Sequence, residues 1–197
     1  MEALIKKIKQ EIEPVYLSSS TYTHTIWRHV VCVALFAKEF AAKLGADQFV
    51  AEAAGLLHDI GAAKFGKEDH HVSGAKEAAL ILLKCACPLE FIGPILSAIY
   101  THRGSQRISF QTPEAKCVAA ADAKEHFVNL EELWLVQTRD LGIPEIEVYQ
   151  TVSGKLERDW EKIEPEIKIL LGETYKTARR ELLEIASKYG YSKKRKK

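Results

Sequence analysis

At 197 residues, 47% hydrophobic and 28% charged, the chain has enough apolar mass for one domain with a sizeable core, and its composition excludes extensive disorder. A net charge of +1 offers no global field for a nucleic-acid partner, which is therefore not expected. No apolar run approaches the roughly 20 residues of a membrane span, and Lys6, Lys7 and Lys9 interrupt Leu4, Ile5 and Ile8 where a leader would be apolar, so the expected location is the cytoplasm, without membrane contact.

Residues 2–13 read as a short amphipathic helix carrying Leu4, Ile5, Ile8 and Ile12, ending before Pro14. A second helix is expected from about Thr23 to Leu44, with His29, Val33, Phe36 and Phe40 on one stripe; His29 faces inward and His24 lies off the stripe. Gly45 ends it, Asp47 can cap the next helix, and the small residues Ala51, Ala54 and Gly55 share a face with His58, leaving room for another backbone. Gly61 can then stop that helix in a left-handed conformation, followed by a loop over 61–68 that holds Lys64 and Lys67. The helical pattern resumes from Asp69 or His70 to Lys84 and again from Leu89 to Thr101, where Pro94 suggests a kink or a later start. Thr112 and Pro113 signal a cap and an N1 proline for a helix running to about Glu132. After a turn at Gly142-Ile143-Pro144, residues 145–170 are helical with a break at Pro165, and a last helix spans about Glu173 to Tyr189.

Apolar spacing follows 3.6 throughout, and the only strand candidate, Arg107 to Phe110, is too short to found a sheet, so the fold class is all-α. The expected layout is a single domain over 1–197: a helical core at about 20–135, a C-terminal helical extension over 140–190 and a basic tail over 191–197. The tail's Lys193, Lys194, Arg195, Lys196 and Lys197 read first as a solubilising run, and they leave the rest of the chain at about −4. Cys32, Cys85, Cys87 and Cys117 lack zinc-site spacing and sit among apolar residues, which fits reduced, buried thiols. The last third carries no motif; it covers the core, shapes a pocket wall or forms a homo-oligomer contact.

Chemistry gathers at helix ends and inward positions. His58 and Asp59 close an apolar run, and an unsatisfied buried polar group costs roughly 2–7 kcal/mol, so this pair calls for a metal or a hydrogen-bond network. Asp122 shares a face with Ala115, Val118 and Ala119, and a carboxylate among alanines is rarely buried unless paired. With His29 these make two imidazoles and two carboxylates, a set suited to a divalent ion such as Fe, Mn, Zn or Mg, with Co and Ni also compatible. Glu125 and His126 follow Asp122 by three and four residues and can share its face.

His29, then His58-Asp59-Ile60-Gly61, then Ala121-Asp122 resembles the HD-domain superfamily of metal-dependent phosphohydrolases over about residues 24–130. The resemblance implies an all-α core, a divalent metal held by His29, His58, Asp59 and Asp122, and hydrolysis of a small phosphorylated substrate, commonly a nucleotide. A non-catalytic metal- or nucleotide-binding module is the alternative. His70 and His102, the latter with Gly104 after it, are similar to the extra histidines of two-metal members, including dinucleoside-polyphosphate hydrolases, and His71 can replace His70. On that resemblance Asp59 bridges two ions and His70 and His102 complete the second. Two residues are expected to assist at the phosphate: Arg103, whose planar fork pairs two oxygens, and Lys64, although each also reads as a surface charge.

Overall fold

The computed structural model describes residues 1–20, 25–103 and 108–190. His24, Gly104, the basic tail over 191–197 and the first residue of the strand candidate lie outside them. Every regular element among the described residues is helical, and none of these helices is long and apolar enough to cross a membrane.

The first helix, α1 (Glu2–Leu17), buries Ile5, Ile8, Ile12 and Tyr16. It does not stop before Pro14 but carries it inside, because a proline near the helix end forfeits one backbone bond and keeps a helical φ. Tyr16 Oη then donates to Leu56 O at 2.9 Å, which ties this helix to the end of α3 (Gln48–Leu57). That carbonyl lies in the last turn of α3, where the backbone supplies no i+4 donor.

The helix α2 (Thr25–Leu44) packs along α3, and the two backbones nearly touch at Gly55: a Cβ there would stand 2.6 Å from Ala34 Cα. Asp47 caps α3 as expected, accepting from the amides of Phe49 at 2.8 Å and Val50 at 3.0 Å. The stretch beyond His58 differs from expectation. Instead of a loop over 61–68 there is a short helix, α4 (Ile60–Phe65), and Gly61 is one of its buried residues rather than a left-handed stop. Its glycine has a packing reason, since a Cβ would meet Gly74 N at 2.5 Å on α5 (His70–Lys84). That approach brings the first residue of α5, His70, beside the break that holds His58 and Asp59.

The helix α6 (Leu89–Thr101) starts at Leu89 with Pro94 inside it, so the later start is not taken. The central helix α7 (Pro113–Val128) has Thr112 as its cap, accepting from Ala115 N at 3.2 Å, and Pro113 at N1. Alanines on most of its faces let neighbours close in all round, and Asp122, Glu125 and His126 are buried with them. It ends at Val128, four residues earlier than the periodicity suggests, with Asn129 as its cap. There the Asn129 side chain donates to Glu125 Oε1 at 2.8 Å and accepts from Arg28 at 2.8 Å.

The C-terminal third continues through α8 (Leu130–Leu135) and a π-helical turn at Val136–Asp140. Two long helices follow, α9 (Glu145–Lys162) and α10 (Pro165–Lys188). Pro165 starts α10 at N1 instead of interrupting a longer helix, so the last helix begins eight residues before Glu173. Trp160 stacks on Tyr175 with centroids 4.5 Å apart, and Tyr175 in turn lies 5.3 Å from Phe127, which fixes α9 and α10 against α7. The four cysteines are free thiols; three are buried, Cys32 is half-buried, and burial pushes the Cys117 thiol up to about 12.

Candidate metal centre

Five helices deliver their polar side chains to one place. His29 comes from α2, His58 and Asp59 from the two-residue break between α3 and α4, His70 from the start of α5, His102 from the residue after α6, and Asp122 from α7. Three of the imidazoles are held by the chain immediately before them. Nδ1 donates to the carbonyl three residues back, from His58 to Gly55 at 2.8 Å, from His70 to Lys67 at 2.9 Å and from His102 to Ile99 at 2.5 Å. For His58 and His102 that carbonyl is an orphan of the last helical turn, so the helix end itself sets the ring. His29 Nδ1 donates to Glu125 Oε2 at 2.8 Å.

With Nδ1 carrying the hydrogen, the neutral ring presents a lone pair at Nε2. These lone pairs face each other in two pairs, His29 with His58 at 3.3 Å and His70 with His102 at 3.3 Å. Asp59 lies between the pairs. Its Oδ2 is 3.6 Å from His58 Nε2 and 3.9 Å from His29 Nε2, while its Oδ1 is 3.5 Å from His70 Nε2 and 3.8 Å from His102 Nε2. Asp122 Oδ1 adds a second carboxylate to the first pair, 3.6 Å from His29 and 3.9 Å from His58. Facing lone pairs beside carboxylate oxygens repel unless a cation sits among them, and donor atoms within 4.8 Å of one another are close enough to share one. The chemistry of this donor set fits a divalent ion in each pair, with Asp59 common to both.

Electrostatics in the metal-free protein follow from the same geometry. Burial opposes a charge on His29, but the Glu125 carboxylate, with Asp122 and Asp59, outweighs it and holds the ring up at about 9. Burial keeps His58 neutral and lowers His102 to about 3, the second with the neighbouring His58 adding to the effect. Asp59 stays ionised, its burial overcome by His58, His70, His102 and His29, which hold it below the usual carboxylate range. One proton on His29 thus supplies the cation that the first pair needs, and metal uptake must displace it. Because this pKa is raised above the free value of 6.5, its contribution to stability is complete below 6.5 and is lost as pH rises through about 9. Thermal melts of the metal-free protein should therefore fall across that window, and metal binding at pH 7 to 8 should release a proton, with affinity rising toward pH 9. A titration calorimetry series in buffers of different ionisation enthalpy would show no buffer dependence if the proton is absent.

A further layer comes from α7 and α9. His126 stacks on His29 with centroids 5.3 Å apart, brings Nε2 within 3.5 Å of Asp122 Oδ1, and donates from Nδ1 to Asp159 Oδ2 at 2.9 Å. Lys162 Nζ donates to Asp122 Oδ2 at 2.7 Å and lies 3.2 Å from Asp159 Oδ1. The opposed carboxylates hold Lys162 charged despite its burial. No motif marks Asp159 and Lys162 in the sequence.

These groups line a cavity of about 300 Å³ whose walls also include Lys67, Arg103, Lys155 and Arg158. Arg103 lines this cavity, half-buried and 3.8 Å from Asp69. Lys64 is not brought there. It sits in the last turn of α4, donates to Glu77 on α5 at 2.6 Å, and lines no part of the cavity; Lys67 takes the place next to His70. Burial, then Lys155, lowers the Lys67 ammonium to about 8. His71 turns away from the centre as well, packing its ring against Tyr100 at 5.3 Å.

A family model described as "HD domain" matches residues 26–125, half of the chain, and spans His29, His58, Asp59, His70, His102 and Asp122. The chain belongs to the HD domain family. Ribonuclease Y of Chloroflexus aurantiacus is 36% identical over 134 residues, 68% of this chain and 24% of the relative. Ribonuclease Y of Thermoanaerobacter pseudethanolicus is 38% identical over 104 residues, 53% of this chain and 19% of the relative. The chain thus spans a quarter or less of the length of these curated relatives. Among solved structures, the HD domain of the L. monocytogenes phosphodiesterase PgpH aligns over 95% of this chain and 97% of its own, at 19% identity and a TM-score of 0.37. His126, Asp159 and Lys162 fall outside the matched HD segment.

Proposed function

We propose that this chain is a metal-dependent phosphohydrolase acting on a nucleotide or a related small phosphorylated compound. The observation that carries the reading is the Asp59 carboxylate standing between two facing imidazole pairs. His29, His58, Asp59 and Asp122 would hold one divalent ion and Asp59, His70 and His102 a second. Bound there, such ions supply charge neutralisation at the phosphoryl oxygens and lower the pKa of a water.

The chain's own residues do the rest. Glu125 and the three backbone carbonyls keep each imidazole in one tautomer and orientation, so no reorganisation is needed at the reacting phosphate. Arg103 offers two parallel donors to non-reacting phosphate oxygens from the cavity wall. Lys67 and Lys155 add positive potential in the same cavity, partly desolvated and so less screened than at the surface.

Elemental analysis per chain, combined with hydrolysis of aryl phosphates and nucleotides by metal-free and reloaded protein, tests the reading. Two metals per chain, falling toward one in His70→Ala and in His102→Ala, together with metal-dependent phosphate release, are expected. Equal hydrolysis by metal-free protein, or nucleotide binding without turnover at any metal content, would remove the enzyme assignment and favour a binding module. The identity to segments of Ribonuclease Y favours a second reading, an RNA phosphodiester as substrate, and a single-stranded RNA oligomer belongs in the same panel.

A further inference from the structure

Part of the cavity wall comes from outside the matched HD segment. Leu133 from α8 and Val136 and Gln137 from the π-helical turn line the cavity together with Ile26 at the start of α2. A π turn spreads one extra residue over each backbone bond and recurs at functional sites. Here it sets two consecutive residues, Val136 and Gln137, into one wall.

Gln137 is the amide on this wall. It is only 6% exposed, its backbone carbonyl accepts from Ile143 N at 2.9 Å, and among the described residues its side-chain amide has no hydrogen-bond partner. Of the other polar groups lining the cavity, the Asn129 amide is engaged with Glu125 and Arg28, and the Thr151 hydroxyl with Glu147 O. The Gln137 amide opens onto the cavity rather than being sealed in the core, so a ligand in the cavity can meet it. A carboxamide offers one donor and one acceptor in a plane. Phosphate oxygens only accept and would leave half of it unused, whereas a nucleobase edge presents an adjacent donor and acceptor and takes both. The flanking Ile26, Leu133 and Val136 are apolar and suit the faces of a flat ring.

We propose that Gln137 is the base-reading residue of this protein: its amide pairs with the edge of a nucleobase held between Ile26, Leu133 and Val136, while the phosphate of the same nucleotide lies at the Asp59 centre. The inference rests on the phosphohydrolase reading and extends it from phosphorylated compounds to nucleotides chosen by their base.

The test compares wild type with Gln137→Leu and Gln137→Met, all metal-loaded and checked for folding by circular dichroism. Substrates are the four common nucleoside monophosphates and the base-free p-nitrophenyl phosphate and bis(p-nitrophenyl) phosphate. Direct binding of the same nucleotides is followed by calorimetry. For the preferred nucleotide both variants should raise KM and Kd about tenfold or more, with kcat within about twofold, and hydrolysis of the base-free esters should be unchanged. Unchanged nucleotide affinity, or an equal loss on base-free esters, overturns the role of Gln137 while leaving the enzyme reading intact. A wild type that turns over no phosphoester removes the enzyme reading, and the binding arm still decides whether Gln137 reads a base.

Discussion

Replacing Asp59 by Ala is expected to disable both halves of the centre at once. Among the described residues only Asp59 places one carboxylate oxygen toward each imidazole pair, 3.6 Å from His58 on one side and 3.5 Å from His70 on the other. His70→Ala, by contrast, touches one pair. The Asp59 variant should therefore lose more metal per chain than either second-pair variant, and its phosphoester turnover should fall by at least about 100-fold, since even residues that merely orient a metal ligand commonly cost 10–100-fold. Elemental analysis and turnover on one preparation decide the matter. Retained metal with retained activity would falsify the shared-carboxylate account. The side chain is small and the helices around it are packed through other residues, so the variant should fold.

The second large effect belongs to Lys162→Met. Lys162 Nζ lies 2.7 Å from Asp122 Oδ2 and 3.2 Å from Asp159 Oδ1, and all three side chains are more than nine-tenths buried. Removing the cation leaves two carboxylates facing each other with little water, and breaking a buried pair from one side typically costs about 3–5 kcal/mol. In a chain of this size that lowers Tm by roughly 6–20 °C. The cost should be smaller in metal-loaded protein, where the ion beside Asp122 Oδ1 replaces part of the lost charge. Thermal melts with and without metal measure the difference. An equal shift in both states would mean that Asp122 does not couple Lys162 to the metal centre, and a shift below about 1 °C would mean that the pair contributes nothing.

The positions of His29, His58, Asp59 and Asp122 were legible because each announces itself locally. An imidazole on an apolar stripe, a His-Asp pair closing an apolar run and an Asp among alanines are all costly unless something pairs with them. Their residue types already suggested one ligand set, whereas the second pair, His70 and His102, came from resemblance. Gly61 was read for its backbone freedom, whereas its glycine is required by the backbone of α5 at Gly74, a contact that no helix-end signal encodes. Lys64 and Lys67 share one stretch of sequence, and the expected phosphate role falls on Lys64. One helical turn of α4 sends the first to Glu77 and leaves the second at the cavity.

Helix periods, caps and N1 prolines act within a turn or two, so the all-helical class and most helix bounds could be settled by neighbours along the chain. Pro14 and Pro165 depart from the expected bounds for local reasons too: the first lies near the end of α1, where it forfeits one backbone bond, and the second at N1 of α10, where its missing N–H costs little. The outer layer of the site lay beyond such reach altogether. Asp159 and Lys162 look like ordinary charges on an amphipathic helix, and what makes them part of the centre is burial against α7, where Lys162 meets Asp122 across 40 residues of chain.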